Sequence, residues 1–413
     1  MRRAEQQQQR QDFRAAQSTY QQVLQLQPDD VAALGNLGTV YKHLGDPEAA
    51  IAYYRQALAL APNQPEIWFN LGTVLQINDP KAAIAAYQQA IALDPTLGAA
   101  YFKLGKLYQE QQHWSGAAAA YREAIARMPN FAPAYMNLGN VLKATGDLTA
   151  AIAQYQQALA CQPDDGEAFY NLGNAYLARH QRSEAIAAYR QAVQHQPRLQ
   201  AAWVNLAMVL QQVGDYDAAI ACFETLLQQD PTDAMAYCNL GSLSNDLGRF
   251  DQAITFLEQA IQLSPGLAVA HTNLAYALVA VARLTDAVDH CNQAVKLAPQ
   301  LTAAYLNLGY ALNNQGKVAA AIASFQAGLA VDPDCHPLNS NLLYTLNYSD
   351  RIHPAAIAEV HRQYGQRITP EVSPPSSQCD SPRARSAIAG GLCFPRYVSA
   401  LGELFLRTAA GSP

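Results

Sequence analysis

One period governs this sequence. Prolines stand at 28, 62, 95, 129, 163, 197, 231, 265, 299 and 333, and every interval is 34 residues except the second, which is 33. A fixed period of this size marks a stack of supersecondary units, each too small to bury its apolar face alone. Other residues keep the same register. Ala stands twelve residues before each proline, from Ala16 to Ala321, and in most units an aromatic follows four residues later, as Tyr20, Tyr54, Tyr87, Tyr121, Tyr155, Tyr189, Phe223 and Phe325. Upstream runs an aromatic-x-x-Leu-Gly pattern, as in Trp68/Leu71/Gly72 and Tyr135/Leu138/Gly139.

The spacing predicts two helices per unit. The aromatic, the Leu and the next apolar residue fall three or four apart, on one helix face. Gly after Leu, and the fixed Ala of the second helix, let the two helices approach closely. Pairs such as Gly45-Asp46 and Gly146-Asp147 form the turn: Gly stops the first helix and Asp starts the second. The proline cannot continue a helix and opens the next unit. In the third unit the turn Asn78-Asp79-Pro80 is one residue shorter, which accounts for the single 33. The expected fold is an all-α solenoid over residues 1–333, with ten units, nine complete and the first with a short or absent first helix.

This is the tetratricopeptide repeat pattern, and the chain strongly resembles that family from about Ala4 to Pro333. The resemblance implies a right-handed superhelix with a concave groove lined by the first helices.

Composition narrows the function. Of 413 residues only 15% are charged, and the net charge is −6. That gives no basic surface for nucleic acid and no electrostatic drive to an anionic membrane. The first residues lack an apolar targeting core. The most apolar stretch, Leu267 to Leu284, is broken by His271, Thr272, Asn273 and Arg283, and reads as a pair of packed helices and not as a membrane span. Seven cysteines, at 161, 222, 238, 291, 335, 379 and 393, show no CxxC and no zinc spacing. Unpaired thiols fit a reducing cytoplasm, and a cytoplasmic protein is expected. His271 stands where other units carry an aromatic and is expected in the core. Gly390-Gly391 lacks the Lys-Ser/Thr of a phosphate loop. No catalytic residue, metal site or cofactor is expected.

The sharpest functional signal is an asparagine ladder. The residue before the Leu of Leu-Gly is Asn36, Asn70, Asn137, Asn171, Asn205, Asn239, Asn273 and Asn307, with Lys103 as the one break. Asn is a mediocre helix former, so its recurrence needs a reason. An amide offers both a donor and an acceptor and can pair with the backbone of an extended peptide whatever its side chains. The alternative is that these amides bridge neighbouring helices and stabilise the stack. Other expected groove residues are Thr39, Thr73, Lys106, Asn140, Asn174, Ser242 and Tyr310, mostly polar and weakly charged. The expected partners are extended segments of other proteins, with homodimerisation through the convex face as a further expectation.

The ladder also resembles the repeat arm of the SPINDLY-like protein O-GlcNAc transferases, which hold acceptor polypeptides by their backbone. After Pro333 the segment Ser340–Tyr348 reads as a capping helix, and Pro354 opens another that carries Ile357, Val360 and Tyr364 on one face. Residues 334–368 resemble that family's linker. The resemblance implies two catalytic α/β lobes beyond it, but the 45 residues from Thr369 hold six prolines and no strand–helix alternation. Residues 369–413 are expected to be disordered, as a truncated or out-of-frame end would be. The expectation is therefore a protein-binding scaffold, with the arm of a truncated glycosyltransferase as the alternative.

Overall fold

The computed structural model describes residues 1–348 and 353–368. The expected disorder of 369–413 lies outside the described residues. Twenty-two α-helices and no strand occur among the described residues. The helices are α1 (Arg2–Gln9), α2 (Phe13–Leu26), α3 (Val31–Leu44), α4 (Pro47–Leu60), α5 (Pro65–Leu75), α6 (Pro80–Leu93), α7 (Gly98–Glu110), α8 (Trp114–Arg127), α9 (Ala132–Ala144), α10 (Leu148–Cys161) and α11 (Gly166–Ala178). There follow α12 (Arg182–His195), α13 (Gln200–Val213), α14 (Tyr216–Gln229), α15 (Ala234–Asp246), α16 (Phe250–Leu263), α17 (Ala268–Ala280), α18 (Leu284–Leu297), α19 (Thr302–Asn314), α20 (Val318–Val331), α21 (His336–Leu346) and α22 (Pro354–Ile368). The chain divides into two compact units, residues 1–202 and the part from Trp203 onward, with the division inside α13.

Each helix end has a local cause. At the hairpin turns Gly45, Gly146, Gly214, Gly248 and Gly316 adopt positive φ, as do Gln11, Gln112, His180 and Ala282 at the same register position. Glycine reaches that conformation without a Cβ penalty, which is why it dominates there. The next residue caps the second helix: Asp46, Asp147 and Asp215 accept from the backbone N–H groups of Ala49, Ala150 and Ala218. Such a cap contributes about 0.5–2 kcal/mol. The short third turn needs no left-handed residue, because Asp79 N–H bonds Leu75 O at 2.8 Å and Asp79 itself caps α6 through Ala82 N–H.

The hairpins close on bare backbone. All ten fixed alanines are fully buried, and so are Tyr20, Tyr54, Tyr87, Tyr121, Tyr155 and Tyr189. A Cβ placed on Gly38, Gly105, Gly139 or Gly173 would come within 2.6–2.7 Å of the ring of Tyr54, Tyr121, Tyr155 or Tyr189. The tyrosine therefore lies flat on the first helix only because the residue after Leu has no side chain. Where the second helix carries Cys291 in place of the aromatic, the facing residue is Ala275, and the smaller thiol leaves room for the added methyl.

Between repeats a second bond recurs. The residue six positions after the proline donates to that proline's carbonyl: Trp68 Nε1 to Pro62 O at 2.8 Å, Tyr135 Oη to Pro129 O at 3.1 Å and Tyr305 Oη to Pro299 O at 3.1 Å. His271 Nε2 meets Pro265 O at 3.2 Å in the same way. A buried histidine here is a polar tie and not a ligand. The apolar stretch 267–284 is one helix, α17, with its following turn, and not two packed helices: α18 begins only at Leu284, because Ala282 takes the left-handed turn conformation and ends α17.

Helix α21 keeps the repeat register past Pro333. Asn339 Nδ2 donates to Pro333 O at 3.1 Å, as Trp68 does to Pro62, and Leu338 and Leu342 are buried against α20.

Candidate functional site: the inner face of the first helices

Within the first unit each second helix packs on the next first helix, and successive first helices also touch, α3 with α5, α7 with α9 and α9 with α11. The first helices of this unit thus approach one another more closely than its second helices do. The ladder residues there are Asn36, Asn70, Asn137 and Asn171, all half-buried. Asn70 Oδ1 accepts from Lys42 Nζ at 3.2 Å. Asn171 Nδ2 donates to Glu167 O of its own helix at 3.1 Å. The Tyr20 and Tyr121 hydroxyls beside Asn36 and Asn137 donate instead to Gln8 Oε1 at 2.9 Å and Gln109 Oε1 at 2.7 Å. A cleft of about 470 Å³ opens beside Asn36, lined also by Glu5, Gln8, Phe13, Tyr20 and His43.

The second unit treats its ladder differently. Here α15 packs on α17 and α17 on α19. Asn205 and Asn239 are half-buried. Asn273 is only 6% exposed, and its Nδ2 has no hydrogen-bond partner. Asn307 Nδ2 crosses to Thr272 O at 3.0 Å, and Asn245 Nδ2 crosses to Asn273 O at 3.0 Å. Asn273 is thus enclosed and Asn307 is spent on tying α19 to α17, the bridging role that the sequence left open as the alternative.

One turn beyond the ladder sits a row with a task that the sequence did not announce. Tyr155 and Tyr189 donate their hydroxyls to Asn140 Oδ1 and Asn174 Oδ1, each at 2.7 Å. Tyr54 Oη shares a hydrogen bond with Thr39 Oγ1 at 3.0 Å, and Tyr87 Oη donates to Thr73 Oγ1 at 3.3 Å. Thr39, Thr73, Asn140 and Asn174, expected as groove residues, thus satisfy the tyrosines that seal each hairpin. Burial pushes Tyr54 up to about 12, opposed by the Thr39 bond, and Tyr20 up to about 12 through burial and the Glu5 charge. A signal for this row was available. The pairs are fifteen residues apart, fourteen across the short third turn, and where the second helix carries Phe223 or Phe325 the partner position holds Met208 or Tyr310 instead of a small polar residue.

The sequence reading also missed Asn341. It lies 34 residues after Asn307, and its Nδ2 bonds Pro337 O at 2.9 Å, four residues back, as Asn171 bonds Glu167.

Among the described residues no group of three His, Cys, Asp or Glu side chains could hold a metal ion, and no helix is long and apolar enough to cross a membrane. No disulfide joins Cys161, Cys222, Cys238, Cys291 and Cys335, and burial pushes the Cys291 thiol up to about 12.

Family profiles described as tetratricopeptide repeat match residues 1–63, 32–96, 98–131, 166–199, 198–266 and 272–334, and one described as TPR repeat matches 139–179. No curated protein matches the chain. Among solved structures, a crystal structure of MamA is 30% identical, with 39% of this chain and 94% of that one covered at a TM-score of 0.37. YrrB, described as a TPR protein with an unusual peptide-binding site, is 22% identical over 44% of this chain and 95% of its own, at 0.41. Yeast Tom70 is 14% identical over 89% and 96%, at 0.42.

Proposed function

The chain belongs to the tetratricopeptide-repeat family, and from that premise we propose that it is a scaffold that holds an extended segment of another protein along the inner face of its first helices. The observation that carries this reading is the row of half-buried amides on the first unit, Asn36, Asn70, Asn137 and Asn171, on the side of each helix left over after packing. An amide there meets a peptide N–H with its oxygen and a peptide C=O with its nitrogen. Asn205 and Asn239 extend the row by register; Asn273 is enclosed, and Asn307 ties α19 to α17. We place it in a reducing compartment such as the cytoplasm, where cysteines without a paired spacing stay reduced.

A second reading, the repeat arm of a SPINDLY-like protein O-GlcNAc transferase, is favoured by the continuation of the ladder to Asn341 in the segment that resembles that family's linker. It makes the same demand on the groove.

The test is a peptide selected on the full chain from a random library, measured by fluorescence polarisation. The variant Asn70→Ala/Asn137→Ala/Asn171→Ala removes three amides at about 0.5–1.5 kcal/mol each, so affinity falls by about tenfold or more while helicity is kept. No selectable peptide, or full affinity in the folded variant, overturns the reading.

A further inference from the structure

Four lysines stand on the first helices of the first unit: Lys42 on α3, Lys103 and Lys106 on α7, and Lys143 on α9. Lys42, Lys103 and Lys143 are half-buried, and Lys106 is exposed. Among the described residues none of the four lies within ion-pair distance of a carboxylate, whereas Arg127 pairs with Glu123, Arg283 with Asp286 and Arg362 with Glu359. Lys42 Nζ instead donates to the ladder amide Asn70 Oδ1. Lys103 occupies the ladder position itself, between Asn70 and Asn137, so the one break in the amide row is a positive charge.

Two of these charges feel one another across the inner face. Lys42 is held below the ordinary lysine value by burial and then by Lys103, although α3 and α7 are two hairpins apart, and burial lowers Lys143 as well. A half-buried ammonium without an anion costs stability, and two of like sign cost more. Glu110 stands one turn after Lys106 on α7, exposed and outside ion-pair distance. The second unit carries no such charge at the corresponding places. Asn239, Ser242 and Asn245 stand in register with Lys103, Lys106 and Lys143, and their helix α15 carries no Lys or Arg.

We propose that the inner face of the first unit takes an acidic extended polypeptide, its backbone on the asparagine amides and its side-chain carboxylates on Lys42, Lys103 and Lys143. This rests on the peptide-scaffold reading and names the partner's chemistry. Charge complementarity selects the occupant: a carboxylate beside each lysine completes the ion pairs that the fold leaves open. The chain's own residues 369–413 do not fit, since they hold Arg383, Arg385, Arg396 and Arg407 against Glu371, Asp380 and Glu403. A nucleic acid fits less well, since the amides between the lysines match peptide groups and the whole chain carries a net charge of −6.

The experiment uses the full chain and three fluorescent probes of equal length: a Glu/Asp-rich peptide with Gly and Ser, its Gln/Asn isostere, and a single-stranded DNA of equal charge. The acidic peptide is expected to bind about tenfold or more tighter than the isostere at low salt, because each ion pair contributes a factor of roughly two to five. That preference shrinks as salt rises. Lys42→Gln/Lys103→Gln/Lys143→Gln abolishes the preference of acidic peptide over isostere, whereas Lys81→Gln, an exposed lysine on α6, keeps it. A Met replacement at the same three sites keeps the apolar stems, so a folding defect in the Gln variant is separated from loss of charge. Equal affinity for acidic peptide and isostere overturns the acidic partner alone. Binding of neither peptide overturns this proposal and the scaffold reading together, and tighter binding of the DNA overturns the choice of polypeptide.

Discussion

The Tyr155 hydroxyl donates to Asn140 Oδ1 at 2.7 Å across a hairpin whose first helix has no side chain at Gly139, the point where the ring rests. One tyrosine thus links the two requirements of the repeat, close packing and a satisfied buried hydroxyl. Tyr155→Phe is expected to cost about 0.5–1.5 kcal/mol, the usual net value of one hydrogen bond. Asn140→Leu, which leaves the hydroxyl without its acceptor, costs about 1–3 kcal/mol. In the double variant the two losses are not additive. Urea midpoints of the four proteins check this, and strict additivity would show that the pair does not interact.

Gly139→Ala puts a methyl 2.6 Å from the Tyr155 ring. The ring cannot retreat from a close-packed seam, so a loss of about 1–3 kcal/mol is expected, typical of overpacking. The reciprocal change in the ninth hairpin, Cys291→Tyr, should be tolerated only together with Ala275→Gly. Thermal melts of the single and double variants test both statements.

Alkaline pH acts through the buried tyrosines. Tyr20 and Tyr54 are raised from 10.0 to about 12, and Tyr87 is raised as well, chiefly by burial. The folded state therefore favours the neutral phenol. Its contribution to stability is complete below pH 10 and is lost as pH rises through about 12. Tyrosinate absorbance should rise in two steps, exposed rings first and the buried set together with loss of helicity. A single early step in a protein still folded would contradict the assignment.

Acid acts on the second unit through a histidine pair. His271 Nδ1 and His290 Nδ1 are 2.9 Å apart, and His271 Nε2 must donate to Pro265 O, which can only accept. His271 Nδ1 is then the acceptor and His290 Nδ1 the donor. Burial and His271 lower His290 from 6.5, with Asp286, Glu258 and Asp289 opposing. A depressed histidine stabilises the fold above the unfolded value and loses that contribution as pH falls below 6.5. His290→Gln should flatten stability between pH 7 and pH 5, measured by urea midpoints; an unchanged pH profile would remove the pair from the account.

Helices, turns and hairpin seams were legible because they depend on short-range chemistry. Gly45 before Asp46 states a left-handed stop and a cap, and Ala50 four residues before Tyr54 states the packed face. The tyrosine–acceptor row was missed, although it was legible through the fifteen-residue pairing of Asn140 with Tyr155 and Asn174 with Tyr189. The fate of each ladder amide was not. Asn137 and Asn273 share a register position, yet one is half-buried and the other enclosed. The difference lies in how closely successive first helices approach, and around α15 the small residues Ser242 and Ser244, in register with Asn140 and Leu142 of α9, go with the closer approach. Such a contact joins residues of different hairpins, which a pattern read within one hairpin does not contain.

The central claim is that amides on the first unit hold a polypeptide by its backbone. The most direct measurement compares the affinity of one selected peptide with that of the same peptide N-methylated at alternate residues, and with a scramble of its non-acidic side chains. Methylation deletes backbone N–H donors and keeps every side chain. The account predicts that methylation weakens binding by about tenfold or more, at about 0.5–1.5 kcal/mol per lost bond, and that the scramble changes it little. Full affinity of the methylated peptide together with loss on scrambling would contradict it.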